Sequence, residues 1–131
     1  MEWDSSLATG EEAIDDQHKM LVGMFAELER AEAEDGPDAV REALDKLTDY
    51  TAVHFTMEQD LMSRERFPDD ATEEHVHEHR ALTERVRQMV LEYRTGQLST
   101  IGPLVTFLGG WLTHHVGEMD RRLADHVRGR A

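Results

Sequence analysis

Five of the eight histidines in this 131-residue chain fall where a helical reading puts apolar side chains. His18 follows Ile14 by four and precedes Leu21 by three. Leu44, Leu47, Thr51, His54, Glu58 and Leu61 keep unbroken three-and-four spacing, so His54 and Glu58 share an inward stripe. His75, His79, Leu82 and Val86 repeat the pattern on a third segment, and His115 follows Trp111 by four on a fourth. A buried imidazole needs a partner, and a buried carboxylate costs several kcal/mol unless a cation or hydrogen bonds meet it. A metal removes that cost, because neutral imidazole nitrogens and carboxylate oxygens then become ligands. The chemistry expected is a metal centre with nitrogen and oxygen donors.

A single inward histidine is usually a satisfied core residue. Here the bland explanation needs four unrelated buried polar clusters, one on each segment. His75 and His79 share a face one turn apart, whereas His77 lies about 200° from His75 and points outward. His114 and His126 are expected at the surface. Asp120 lies five residues after His115, about 140° round a regular helix. It reaches a central metal only from the flank, and spacing alone does not select it. A ferritin-like di-iron bundle needs two Glu-x-x-His pairs, and the chain has one, Glu74 with His77. It has no His-Glu-x-x-His zinc-protease motif, no Gly-x-Ser-x-Gly elbow and no phosphate loop.

The elements that must hold these side chains are helices. Gly36-Pro37, Phe67-Pro68-Asp69-Asp70, Thr95-Gly96 and Gly102-Pro103 break the chain into four segments rich in Ala, Leu, Glu, Arg and Met. No segment alternates with period two, so strands are not expected. The predicted helices cover about 12–34, 37–65, 71–94 and 103–128, with boundaries loose by ~2–4 residues. Pro37 and Pro103 suit first turns. Asp70 with Glu73 reads as a capping box for the third helix. The apolar stripes are Ile14, Leu21, Phe25 and Leu28; Val40, Leu44, Leu47, Leu61 and Met62; Leu82, Val86, Met89 and Tyr93; and Leu104, Leu108, Trp111, Met119 and Leu123. Short connections make neighbours antiparallel. The expected fold is all-α, an up-down-up-down antiparallel four-helix bundle in one domain, 1–131, with residues 1–11 as an extended arm.

Composition narrows the partners. The formal charge of −14 argues against nucleic acid and anionic membranes. Cysteine is absent, which removes disulfides, iron–sulfur clusters and thiolate chemistry. The most apolar stretch, Leu104 to Leu112, is far short of the ~20 residues a membrane span needs. The first residues have neither a basic nor an apolar leader segment. A cytoplasmic protein without membrane insertion is expected.

The chain resembles the hemerythrin family. The matching residues are Glu2-Trp3-Asp4, Ile14-Asp15-Asp16-Gln17-His18-Lys19, His54-Phe55 with Glu58, His75-x-x-x-His79, and Trp111-Leu112 with His115-Val116-x-x-x-Asp120. They run in order over nearly the whole chain. The resemblance implies two iron ions per chain with an oxo or hydroxo bridge. His75, His79 and His115 would ligate one iron, His18 and His54 the other, and Glu58 and Asp120 would bridge them. One iron is then six-coordinate and the other keeps a position open to dioxygen. Phe25, Phe55, Trp111 and Val116 are nominated as the apolar wall of that position. Val116 stands where isoleucine is common, and Gln59 where a second acid often follows Glu58; neither touches the ligand set. Seven ligands exceed the tetrahedral shell of zinc. The implied activity is reversible dioxygen binding for carriage, storage or supply by a monomer, without catalysis. The alternatives are an oxygen or redox sensor acting through a partner protein, and a di-iron enzyme acting on peroxide or nitric oxide.

Overall fold

The computed structural model describes residues 3–97 and 101–129, so Glu2 of the N-terminal motif lies outside the described residues. After a short 3-10 turn, Ser5–Leu7, come α1 (Glu12–Arg30), α2 (Pro37–Arg64), α3 (Asp69–Arg94), α4 (Gly102–His114) and α5 (Arg121–Val127). α4 and α5 are one rod joined through a wider π-type turn, His115–Asp120. A second such turn, Ala31–Asp35, closes α1. The rods form an antiparallel four-helix bundle in which α1 packs on α2 and α4, and α3 closes the ring against the same two. Among the described residues there is no strand, and no helix is long and apolar enough to cross a membrane.

The caps explain the boundaries. α1 runs out at Gly36, whose φ of +91° is open to glycine and strained for other residues. Pro37 then occupies the first turn of α2, where no N–H is needed. The expected cap at Asp70 is corrected. α3 starts at Asp69, two residues before the predicted boundary, because the extended backbone of Pro68 takes the cap position. Its carbonyl accepts the Thr72 N–H at 2.8 Å. Asp70 lies inside the first turn, where its charge faces the positive end of the helix dipole.

The core comes in two parts. Leu21, Phe25, Leu28, Leu44, Leu47 and Leu104 belong to one apolar cluster. Ile14, Leu61, Met62, Phe67 and Leu123 belong to the other. On α1 the sequence passes from Ile14 to Leu21 through His18, and on α2 from Leu47 to Leu61 through His54 and Glu58. A buried polar layer therefore separates the two clusters.

Candidate metal centre

Every residue singled out from the sequence as a donor lies in that layer. His18, His54, Glu58, His75, His79, His115 and Asp120 are each at most 3% exposed. Their donor atoms converge in two groups. One holds Glu58, His75, His79, His115 and Asp120; the other holds His18, His54, Glu58 and Asp120. The two carboxylates belong to both. His18 Nε2 stands 2.8 Å from Asp120 Oδ2, and His75 and His115 Nε2 stand 2.9 and 3.0 Å from Asp120 Oδ1. His54 and His79 Nε2 approach Glu58 Oε1 at 3.0 and 3.4 Å.

These approaches are short, yet their angles are not those of hydrogen bonds. His18 Nε2 and all four carboxylate oxygens are buried without a hydrogen-bond partner. Buried polar atoms are normally paired, and orphans call for an explanation. No Lys or Arg is buried among the described residues to balance the two carboxylates. Lone pairs aimed inward with no internal cation form a cage that fits metal ions.

Asp120 reaches the cage through the wider turn. Five residues of a π-type turn complete about one revolution. His115 and Asp120 thus share a face, and the 140° separation of a regular helix does not apply. Sequence spacing missed this because the 3.6-residue period was carried unbroken through the fourth helix.

Electrostatics favour ligand-ready protonation. Burial, then the neighbouring His18, hold the His54 imidazole down to about 3. Burial with His75 and His115 holds His79 down to about 2. Both rings are neutral near pH 7, the form that binds metal. Burial and the adjacent Asp120 push the Glu58 carboxyl well above the carboxylate range. Burial also opposes the Asp120 charge, but contacts from His115, His18 and His75 outweigh it and hold that carboxyl well below its ordinary value. Without a cation the pair retains one proton, on Glu58.

Surrounding side chains fix the rings. The Phe55 ring stacks on His79 at 3.7 Å between centroids, and Trp111 stacks on His115 at 4.2 Å. His54 Nδ1 donates to Gln17 Oε1 at 2.8 Å, which leaves Nε2 free as a donor toward a metal. The sequence places Gln17 in the matching motif at 14–19 without giving it a role at the site. Its only signals are that it precedes His18 and sits about 100° off that stripe. Phe25, Phe55, Trp111 and Val116 all line a mainly apolar cavity of about 40 Å³ that His54, His115 and Asp120 also border. A water needs only ~10–15 Å³ on this measure, so a diatomic molecule has room. His77 and His114 are exposed. His126 is half-buried, departing from its expected surface place, with Nε2 2.8 Å from the Glu65 carbonyl and its ring against Phe67.

The hemerythrin HHE cation binding domain family matches residues 9–127. A bacteriohemerythrin of Stenotrophomonas maltophilia is 32% identical over 126 residues, covering 96% of this chain and 80% of its own. One from Pseudomonas aeruginosa is 31% identical with the same coverage. A crystal structure of a hemerythrin point variant superposes with a TM-score of 0.88 at 23% identity, over 100% of this chain and 98% of that one. That last likeness speaks for the fold.

Proposed function

Because the chain belongs to the hemerythrin family, we propose that it binds dioxygen reversibly at a non-haem di-iron centre, for carriage, storage or local supply. The observation that carries this reading is the sharing of Glu58 and Asp120 between two convergent donor groups. A single-metal site needs one group, whereas two carboxylates common to two groups suit a bridged pair. In this reading His75, His79 and His115 hold one iron, His18 and His54 the other, and Glu58 and Asp120 bridge them together with an oxo or hydroxo group. When bound, such a pair supplies the electrons that dioxygen takes up and returns.

The chain's own residues do the rest. Phe55 and Trp111 hold His79 and His115 by stacking, and Gln17 holds His54 by its ring N–H. Phe25, Phe55, Trp111 and Val116 would keep water from the side of the donor cage bordered by His54, His115 and Asp120, where dioxygen would approach a bound metal. Thr51 also lines that cavity, but its hydroxyl hydrogen goes to the Leu47 carbonyl at 2.7 Å. Among the described residues the cavity lining beyond the donors is apolar apart from Thr51. The protein is taken to act as a cytoplasmic monomer.

Metal analysis with visible spectra of protein cycled between reduced-anaerobic and air-equilibrated states tests the reading. Two irons per chain and a band that appears in air and vanishes on degassing are expected. Iron that oxidises once without recovery would refute reversible binding and point to a sensor or an enzyme. Glu58→Ala should empty the site and His77→Ala should not; loss of iron from the second variant would overturn the ligand set.

A further inference from the structure

The wider turn that brings Asp120 under His115 is itself held by a side chain. Arg121 Nε donates to the Gly117 carbonyl, inside the turn, at 3.3 Å. A guanidinium nitrogen of the same residue donates to the Ser6 carbonyl, in the N-terminal 3-10 turn, at 3.0 Å. At a change of helical register a polar side chain that reaches into the turn can bond one of its carbonyls and hold the local geometry. Arg121 directly follows Asp120, and its backbone N–H bonds the Glu118 carbonyl where the regular helix resumes.

The geometry points to Arg121 as a positioning residue of the metal centre. It clamps the widened turn to the N-terminal arm and so fixes where the Asp120 carboxylate sits between the two donor groups. This inference rests on the metal reading above. Arginine suits the task because its planar fork donates from two nitrogens in two directions at once, and a lysine ammonium spans less. The sign of the effect separates positioning from simple charge. Removing a cation beside a metal site strengthens metal binding if charge alone matters. Removing a clamp weakens it.

The experiment uses the full chain with cobalt(II), whose visible bands report ligand geometry, in competition with a chelator. Arg121→Ala should bind cobalt about 10–100-fold more weakly with altered bands, the range for loss of a residue that orients a ligand. Arg121→Lys should recover part of the loss. Arg122→Ala, which removes an exposed arginine paired with Glu74, should bind as the parent does. Unchanged or tighter cobalt binding in Arg121→Ala, or an equal loss in Arg122→Ala, would overturn the inference. Amide hydrogen exchange of residues 117–121 in chelator-treated protein gives a readout independent of metal. Faster exchange in Arg121→Ala supports the clamp even if the parent takes up no cobalt, a result that would sink only the iron reading. Unchanged exchange overturns the clamp itself.

Discussion

Stripped of metal by a chelator, this protein should be most stable near pH 6.5 and lose stability on both sides. His54 and His79 are held down to about 3 and about 2 in the fold, against an ordinary value of 6.5. Glu58 is held well above its ordinary 4.5. Between pH 4.5 and 6.5 the unfolded chain carries two protons on those histidines that the folded chain lacks. The folded chain carries one on Glu58 that the unfolded chain lacks. The net difference of one proton makes stability rise with pH by about 1.4 kcal/mol per unit, or about 3 kcal/mol over the window. Above 6.5 the histidine contributions are complete and only Glu58 remains. The raised Glu58 carboxyl then makes stability fall with pH until it ionises in the fold. Below 4.5 the Glu58 difference vanishes and the two histidines act unopposed, at about 3 kcal/mol per unit. Asp120, held below its ordinary 3.8, steepens the acid limb further. These changes are a large share of the ~5–15 kcal/mol that holds a domain together. Urea unfolding followed by helical circular dichroism at pH 4, 5, 6.5 and 8 measures the curve. Glu58→Gln should flatten the limb above 6.5. A profile that is level from pH 5 to 8, or still rising past 7, would refute the assigned shifts. Metal uptake at pH 7 should release the Glu58 proton, visible with an indicator dye in weak buffer.

Other expectations follow from single contacts. Gln17→Leu frees the His54 ring and should weaken metal binding about 10–100-fold in a chelator competition, with the metal-free melt little changed. Trp111→Ala removes the ring stacked on His115 and opens the cavity wall; stopped-flow spectra should show faster loss of bound dioxygen and faster irreversible oxidation. Leu104→Ala empties a fully buried position and should cost about 2–5 kcal/mol in denaturant unfolding at fixed metal content. Gly36→Ala forces a side chain to φ +91° and ψ 178°, a region essentially reserved for glycine, and should cost about 1–3 kcal/mol by the same measurement.

The bundle is legible because helical period and polarity agree along most of each helix and part in one layer. Ile14, Leu28, Leu44 and Leu123 are buried as their stripes require, and His18, His54 and His115 interrupt those stripes at the same height. Glu58 was legible for the same reason. Asp120 was not legible from spacing, since its approach depends on a local change of helical pitch that residue types do not announce. It entered only through resemblance. Gln17 escaped because an amide beside a ligand has no periodic signature; its partner, His54, is 37 residues away. The α3 start was misread because Asp70 and Glu73 imitate a cap that proline had already supplied.

The widened turn also bears on how such a site is spelled. A π-type turn with five residues from His115 to Asp120 places them much as a regular helix places two residues four apart. It is the geometric equivalent of one residue inserted into an ordinary helix, with Leu123 beyond it still returned to the core. Excising Gly117 would let the rod heal into a regular helix without moving the donors to different faces. His-x-x-x-x-Asp and His-x-x-x-Asp are then two spellings of one site.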